Sequence, residues 1–200
     1  MSDQKLKLAV IVGSVREGRF GPVVSQWFTE QATQYGQFDV EVIDVAEQPL
    51  PLVLGPVPPA MAAPEDRPAE LLPLAAKLEE ADAFVVVTPE YNHSFPASLK
   101  NLIDWHFTQW RAKPVGFVSY GGGAGGARAV EQLRQVFAEL HAVTVRDSLA
   151  FSNYWEQFGE DGSWQAAEGA DGAAKILLDQ LNWWGQALHD ARAKVPYAAE

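Results

Sequence analysis

The sequence predicts one doubly wound α/β domain over residues 1–200, a five-stranded parallel sheet of order 2-1-3-4-5 with helices on both faces. Three observations carry this expectation. The runs at residues 6–12 and 83–87 are almost continuously apolar, as strands covered on both faces of a parallel sheet must be. The segments between strands repeat their apolar residues at helical spacing. Glycine-rich or polar loops follow three of the strands, where open α/β sheets bind ligands.

Residues 6–12 (Leu-Lys-Leu-Ala-Val-Ile-Val) read as the central first strand, broken by Gly13. Pro22 suits a first helical turn, where its missing N–H costs nothing, and Val24, Trp27 and Phe28 give residues 22–35 an apolar stripe. Residues 38–44 form the second strand. Seven prolines at positions 49, 51, 56, 58, 59, 64 and 68 prevent regular structure from 46 to 68. A loop this long and apolar is expected to pack over a site or a partner subunit. Leu71, Leu74 and Leu78 mark a helix over 69–81, and residues 83–87 the third strand. A helix over 96–105, a strand over 114–120, a helix over 127–140, a strand over 141–149 and a final helix over 172–193 complete the alternation. The stretch 151–169 holds Tyr154, Trp155, Phe158 and Trp164 without a period.

Composition narrows the partners. A net charge of −11 repels nucleic acid and anionic lipid surfaces, so neither is an expected partner. The absence of cysteine excludes disulfides, thiolate metal sites and a cysteine nucleophile. The four histidines lie in different predicted elements without ligand spacing, and no metal site is expected. No apolar run approaches ~18 residues and the N-terminus offers no signal-like segment, so the expected location is the cytoplasm.

Three loops hold candidate chemistry. Ser14, Arg16 and the helix start near Pro22 offer a hydroxyl, a guanidinium and free backbone N–H groups to an anion; a solvated turn with surface arginines is the plain alternative. Gly13, Gly18 and Gly21 match neither nucleotide-binding glycine pattern, which favours a monophosphate over a dinucleotide. Pro89, Glu90, Tyr91, Asn92, His93 and Ser94 combine an aromatic wall, an amide and a possible Glu90–His93 acid–base pair, with ordinary packing as the alternative. Gly121, Gly122, Gly123, Ala124, Gly125 and Gly126 let backbone approach a ligand, or simply connect. All three loops meet at the carboxyl edge of the sheet, beside the crevice where strand order reverses. Trp105, His106, Trp110 and Arg111 suit a site mouth, a core or a subunit interface.

The loops at 13–21, 89–94 and 119–128 together resemble those of the NADPH-dependent FMN reductase family, whose flavodoxin-like members include quinone, azo-dye and chromate reductases. The resemblance covers about residues 5 to 150. It implies that Ser14 and Arg16 hold the FMN phosphate, with Phe20 and Gly21 completing the cradle. Pro89, Glu90, Tyr91 and Asn92 then line the isoalloxazine, with Ser119, Tyr120, Gly121 and Gly122 on its other side. Arg19 stands where many members have serine, leaving two outcomes: a charged phosphate contact or an arginine turned to solvent. Homodimers or homotetramers are also implied, and seven tryptophans are easier to bury in an assembly.

The expected function is thus an FMN-dependent NAD(P)H oxidoreductase. Hydride passes from NADPH or NADH to flavin N5, and electrons pass on to a small-molecule acceptor: a quinone, an azo compound, a flavin or an oxidised metal ion. No side chain serves as catalytic acid or nucleophile, since the flavin carries the chemistry. A non-enzymatic FMN module for electron transfer or redox sensing is the alternative, and a flavin-free protein with another phosphorylated ligand is a third.

Overall fold

The computed structural model of the chain describes residues 5–197 apart from 49, 158 and 160–162. Five parallel strands, β1 (Leu6–Val12), β2 (Phe38–Asp44), β3 (Ala83–Pro89), β4 (Pro114–Gly121) and β5 (Val143–Ser152), stand in the order β2-β1-β3-β4-β5. Five helices join or follow them: α1 (Gly21–Tyr35), α2 (Leu72–Glu80), α3 (Ala97–Trp105), α4 (Ala127–Glu139) and α5 (Ala170–Lys194). The side-chain alternation of the strands sorts the core into two layers. Val10, Val85 and Val87 pack with α1 and α5, while Ile11, Phe84 and Val86 pack with α2, α3 and α4. Every residue of β3 is buried, which is why it lacks a polar face in sequence.

Element boundaries move for local reasons. Pro73 belongs in a first helical turn, so α2 starts at Leu72 and residues 69–71 form a 3-10 turn. His141, expected in the last strand, has φ 58° and belongs to the turn ahead of β5, which then continues to Ser152. Of the aromatic residues after the third helix, Trp105 and Trp110 are core, with Trp110 edge-on to Phe84 and Phe137. The proline-rich loop lies along α3, where Asn101 Nδ2 and Trp105 Nε1 both donate to the Pro51 carbonyl at 3.1 and 2.8 Å. Pro49 and Phe158 fall outside the described residues.

Candidate functional site

The loop after β1 is held at its root from two sides. Gly13 N donates to the Val87 carbonyl at 2.9 Å, and Ser98 Oγ of α3 donates to the Gly13 carbonyl at 2.8 Å. A Cβ on Gly13 would stand 3.1 Å from Leu99 Cδ2 and 3.3 Å from Leu99 Cβ, so a larger residue there would press on α3. Ser14 is buried, its hydroxyl 2.8 Å from Tyr91 Oη. With Tyr91 as donor, the Ser14 proton is left for an anion. Arg16 is exposed and forms no ion pair among the described residues. The start of α1 has no side-chain cap, which leaves its positive end to attract negative charge.

Arg19 takes neither expected course. Its guanidinium forks onto the Asp44 carboxylate at 2.5 and 2.6 Å and donates to the Ser14 carbonyl at 2.8 Å. Asp44 ends β2, so this ion pair ties the loop to the neighbouring strand and neutralises a charge beside the cleft. Gly21 is the first residue of α1 and a packing position. A Cβ there would meet Val12 Cγ1 at 2.9 Å and Tyr120 Oη at 3.1 Å.

Beyond β3, Tyr91 and Ser94 exchange backbone hydrogen bonds of 2.8 and 2.9 Å, while Asn92 and His93 have φ of 51° and 66°. Positive φ at both central residues marks a type I′ turn, a conformation asparagine tolerates. Asn92 is therefore an exposed turn residue and is not among the residues that line the cleft. The Glu90–His93 acid–base pairing also dissolves. Arg128 stands between the two, 2.5 Å from the Glu90 carboxylate and 2.8 Å from His93 Nε2. Gln132 Nε2 donates to the His93 carbonyl at 2.7 Å and fastens the turn to α4.

Beyond β4, Ser119 is wholly buried, and its hydroxyl donates to the Gly125 and Leu149 carbonyls at 2.8 and 3.2 Å. It is a brace for the glycine loop rather than a wall of the cleft. Gly125 and Gly126 have φ of 58° and 91° and press on β5 and β4, whereas Gly123 faces open space.

These loops enclose a cleft of about 210 Å³ at the carboxyl ends of β1, β3 and β4. Ser14, Arg16, Arg19, Phe20, Pro89, Glu90, Tyr91, Tyr120, Gly121 and Gly122 line it together with Gly18, Tyr154 and Trp155. Sequence reasoning missed the last three. Tyr154 stacks on Phe20 with ring centres 4.3 Å apart, and a Cβ on Gly122 would meet the Trp155 ring at 3.7 Å. Placing the end of β5 at Ser152 would have brought both into view, as residues just past the carboxyl end of a strand.

Residues 6–156 match the model of the family described as NADPH-dependent FMN reductase. The chain belongs to this family. Membership makes it an FMN-dependent NAD(P)H oxidoreductase. It is 31% identical to an FMN-dependent NADPH-azoreductase of Staphylococcus saprophyticus over 88% of this chain and 93% of that one. It is 38% identical over 130 residues to an NAD(P)H-dependent FMN reductase of Schizosaccharomyces pombe, a match spanning 65% of this chain and 64% of the relative. In fold it is similar to FerB, a flavoenzyme NAD(P)H:(acceptor) oxidoreductase of Paracoccus denitrificans, with a TM-score of 0.71, 24% identity and coverage of 91% and 98%.

Among the described residues no three His, Cys, Asp or Glu side chains converge as metal ligands, and no helix is long and apolar enough to cross a membrane.

Proposed function

We propose that this cleft is the FMN site and that the chain passes electrons from NADPH or NADH to an aromatic small-molecule acceptor, a quinone or an azo compound. The FMN phosphate belongs with Ser14, Arg16 and the uncapped start of α1. The isoalloxazine belongs between Pro89, Glu90 and Tyr91 on one side and the backbone of Gly121 and Gly122 on the other. One observation carries the placement. Arg16 is the cation of the cleft lining that has no ion-pair partner among the described residues, and it stands beside a helix N-terminus at the reversal of strand order.

The donor set fits such a cofactor. Ser14 and Arg16 can both donate to phosphate, and Glu90, the carboxylate of the lining, is neutralised by Arg128. Tyr120 adds a buried hydroxyl with no partner among the described residues. Bound FMN supplies hydride acceptance at N5 and electron delivery to the acceptor. The chain's own residues would hold the phosphate and position the ring between Tyr91 and the glycine backbone.

Titrating the purified protein with FMN should give the spectrum of bound flavin. Anaerobic NADPH or NADH should bleach it, and a quinone or azo dye should restore it. A chain that leaves FMN free throughout the titration would overturn the reading. Arg16→Ala is expected to weaken FMN binding by ~1–2 kcal/mol, the lower part of the range for hydrogen bonds to charged groups because Arg16 is exposed. Unchanged affinity would remove Arg16 from the cradle.

We further propose one domain that assembles as a homodimer or homotetramer. Leu52 and Val53 are 84% and 80% exposed on a loop pinned at Pro51, with Met61, Trp155 and Trp183 also bare. Sedimentation equilibrium is expected to give a multiple of 21.9 kDa, and a monomer mass across the concentration range would count against assembly.

A further inference from the structure

Tyr120 stands opposite Pro89 in the β3–β4 register. The ring is edge-on to Phe20 at 5.7 Å and to Tyr154 at 5.3 Å. Its oxygen reaches the start of α1, where a Cβ on Gly21 would lie 3.1 Å from it. The residue is 3% exposed and lines the cleft, and the hydroxyl has no hydrogen-bond partner among the described residues. The Ser14 hydroxyl lies close enough to act on it electrostatically as a hydrogen-bonding neighbour, but short of bonding geometry, and its 2.8 Å hydrogen bond is to Tyr91. A buried hydroxyl in this state costs stability unless a ligand satisfies it.

We propose that the Tyr120 hydroxyl donates a hydrogen bond to the phosphate of FMN and thereby makes the chain discriminate FMN from its unphosphorylated counterpart, riboflavin. The assignment rests on the FMN reading of the cleft and moves Tyr120 from the ring end to the phosphate end. Three groups then converge on one anion from different elements: Ser14 and Arg16 from the loop after β1, and Tyr120 from β4. Burial raises the pKa of the phenol, so it stays protonated and keeps its donor at neutral pH. Gly21 acquires a reason as well, because any side chain there would push on the oxygen that has to meet the phosphate.

The test is a pair of fluorescence titrations of the flavin-stripped, full-length protein, with FMN and with riboflavin, on the unsubstituted chain and on Tyr120→Phe. The variant keeps the ring and removes only the hydroxyl. Its FMN affinity should fall about tenfold or more while riboflavin affinity stays unchanged. Without flavin it should melt no lower than the unsubstituted chain, whereas a merely structural hydroxyl would lower that melting point. Unchanged FMN affinity, or a parallel loss for both flavins, overturns the Tyr120 assignment alone. Failure of the unsubstituted chain to bind either flavin overturns the FMN reading and this assignment with it.

Discussion

Gly126→Ala is expected to destabilise the chain by ~2–5 kcal/mol and to weaken FMN binding, whereas Gly123→Ala, three residues earlier, should stay within ~0.5 kcal/mol of the parent. At Gly126 the backbone has φ 91°, and a Cβ would stand 2.6 Å from Ser119 Cβ and 3.1 Å from Tyr120 N. Both neighbours lie in β4, which is paired on both sides by β3 and β5, and cannot yield as a flexible side chain could. The left-handed backbone costs an L-residue ~1–2 kcal/mol, and overpacking commonly adds ~1–3. Relief requires the loop to lift from the sheet, which breaks the bond from Ser119 Oγ to the Gly125 carbonyl and shifts Gly121 and Gly122 in the cleft wall. Gly123 has open space around its would-be Cβ and no positive φ. Denaturant midpoints of the two variants, with FMN titrations beside them, check the contrast. Equal effects at both positions would mean that the loop is a pliable connection.

That contrast shows where sequence reading ends. Gly121 to Gly126 looks like one uniform low-complexity loop, because a glycine carries no mark of what its absent side chain would meet. Short-range physics was legible: β3 announced itself as five consecutive apolar residues because both its faces are covered, and Pro22 marked the start of α1. The meeting of three loops was also readable, since in a doubly wound sheet of order 2-1-3-4-5 the loops after strands one, three and four share the carboxyl edge. The partners of individual side chains were not. Arg19 is bound by Asp44, twenty-five positions away on an adjacent strand, and nothing near Arg19 in sequence hints at that pairing. Asn92 looked like a ring contact because its amide suits a flavin edge, yet two positive φ angles spend it on a turn. Ser119 looked like a ligand contact because it precedes the glycines, and its hydroxyl instead ties two strands and the loop together. Each departure comes from a contact made by folding rather than from local propensity.

The second large effect is a loss of stability in mild acid, centred on His106. The residue is 1% exposed; Nδ1 lies 2.8 Å from the Leu102 carbonyl, and Nε2 is buried without a partner among the described residues. Burial pushes its pKa down to about 4, Arg67 adding to the shift and the Leu102 carbonyl opposing it. Unfolded, the imidazole titrates near 6.5. Above pH 6.5 it is neutral in both states. Between 6.5 and 4 the unfolded chain binds a proton that the folded chain refuses, so stability present above 6.5 drains away as pH falls, by roughly 2 kcal/mol at pH 5 and about 3 by pH 4. His106→Gln, which cannot titrate and can still donate to Leu102, should remove this portion of the acid sensitivity. Urea unfolding of both proteins at pH 7.5 and pH 5 reads the difference, and parallel losses in the two would exonerate His106. The effect reaches the cleft through α3. His106 caps the helix whose other end supplies Ser98 to the Gly13 carbonyl and Leu99 to the Gly13 backbone, and Trp110 Nε1 donates to the His106 carbonyl from the core. A protonated imidazole there strains the support of the loop that carries Ser14 and Arg16. FMN binding by the folded chain should therefore weaken only as the pH nears 4, where the folded imidazole itself takes up the proton, and in the glutamine variant that weakening should be smaller.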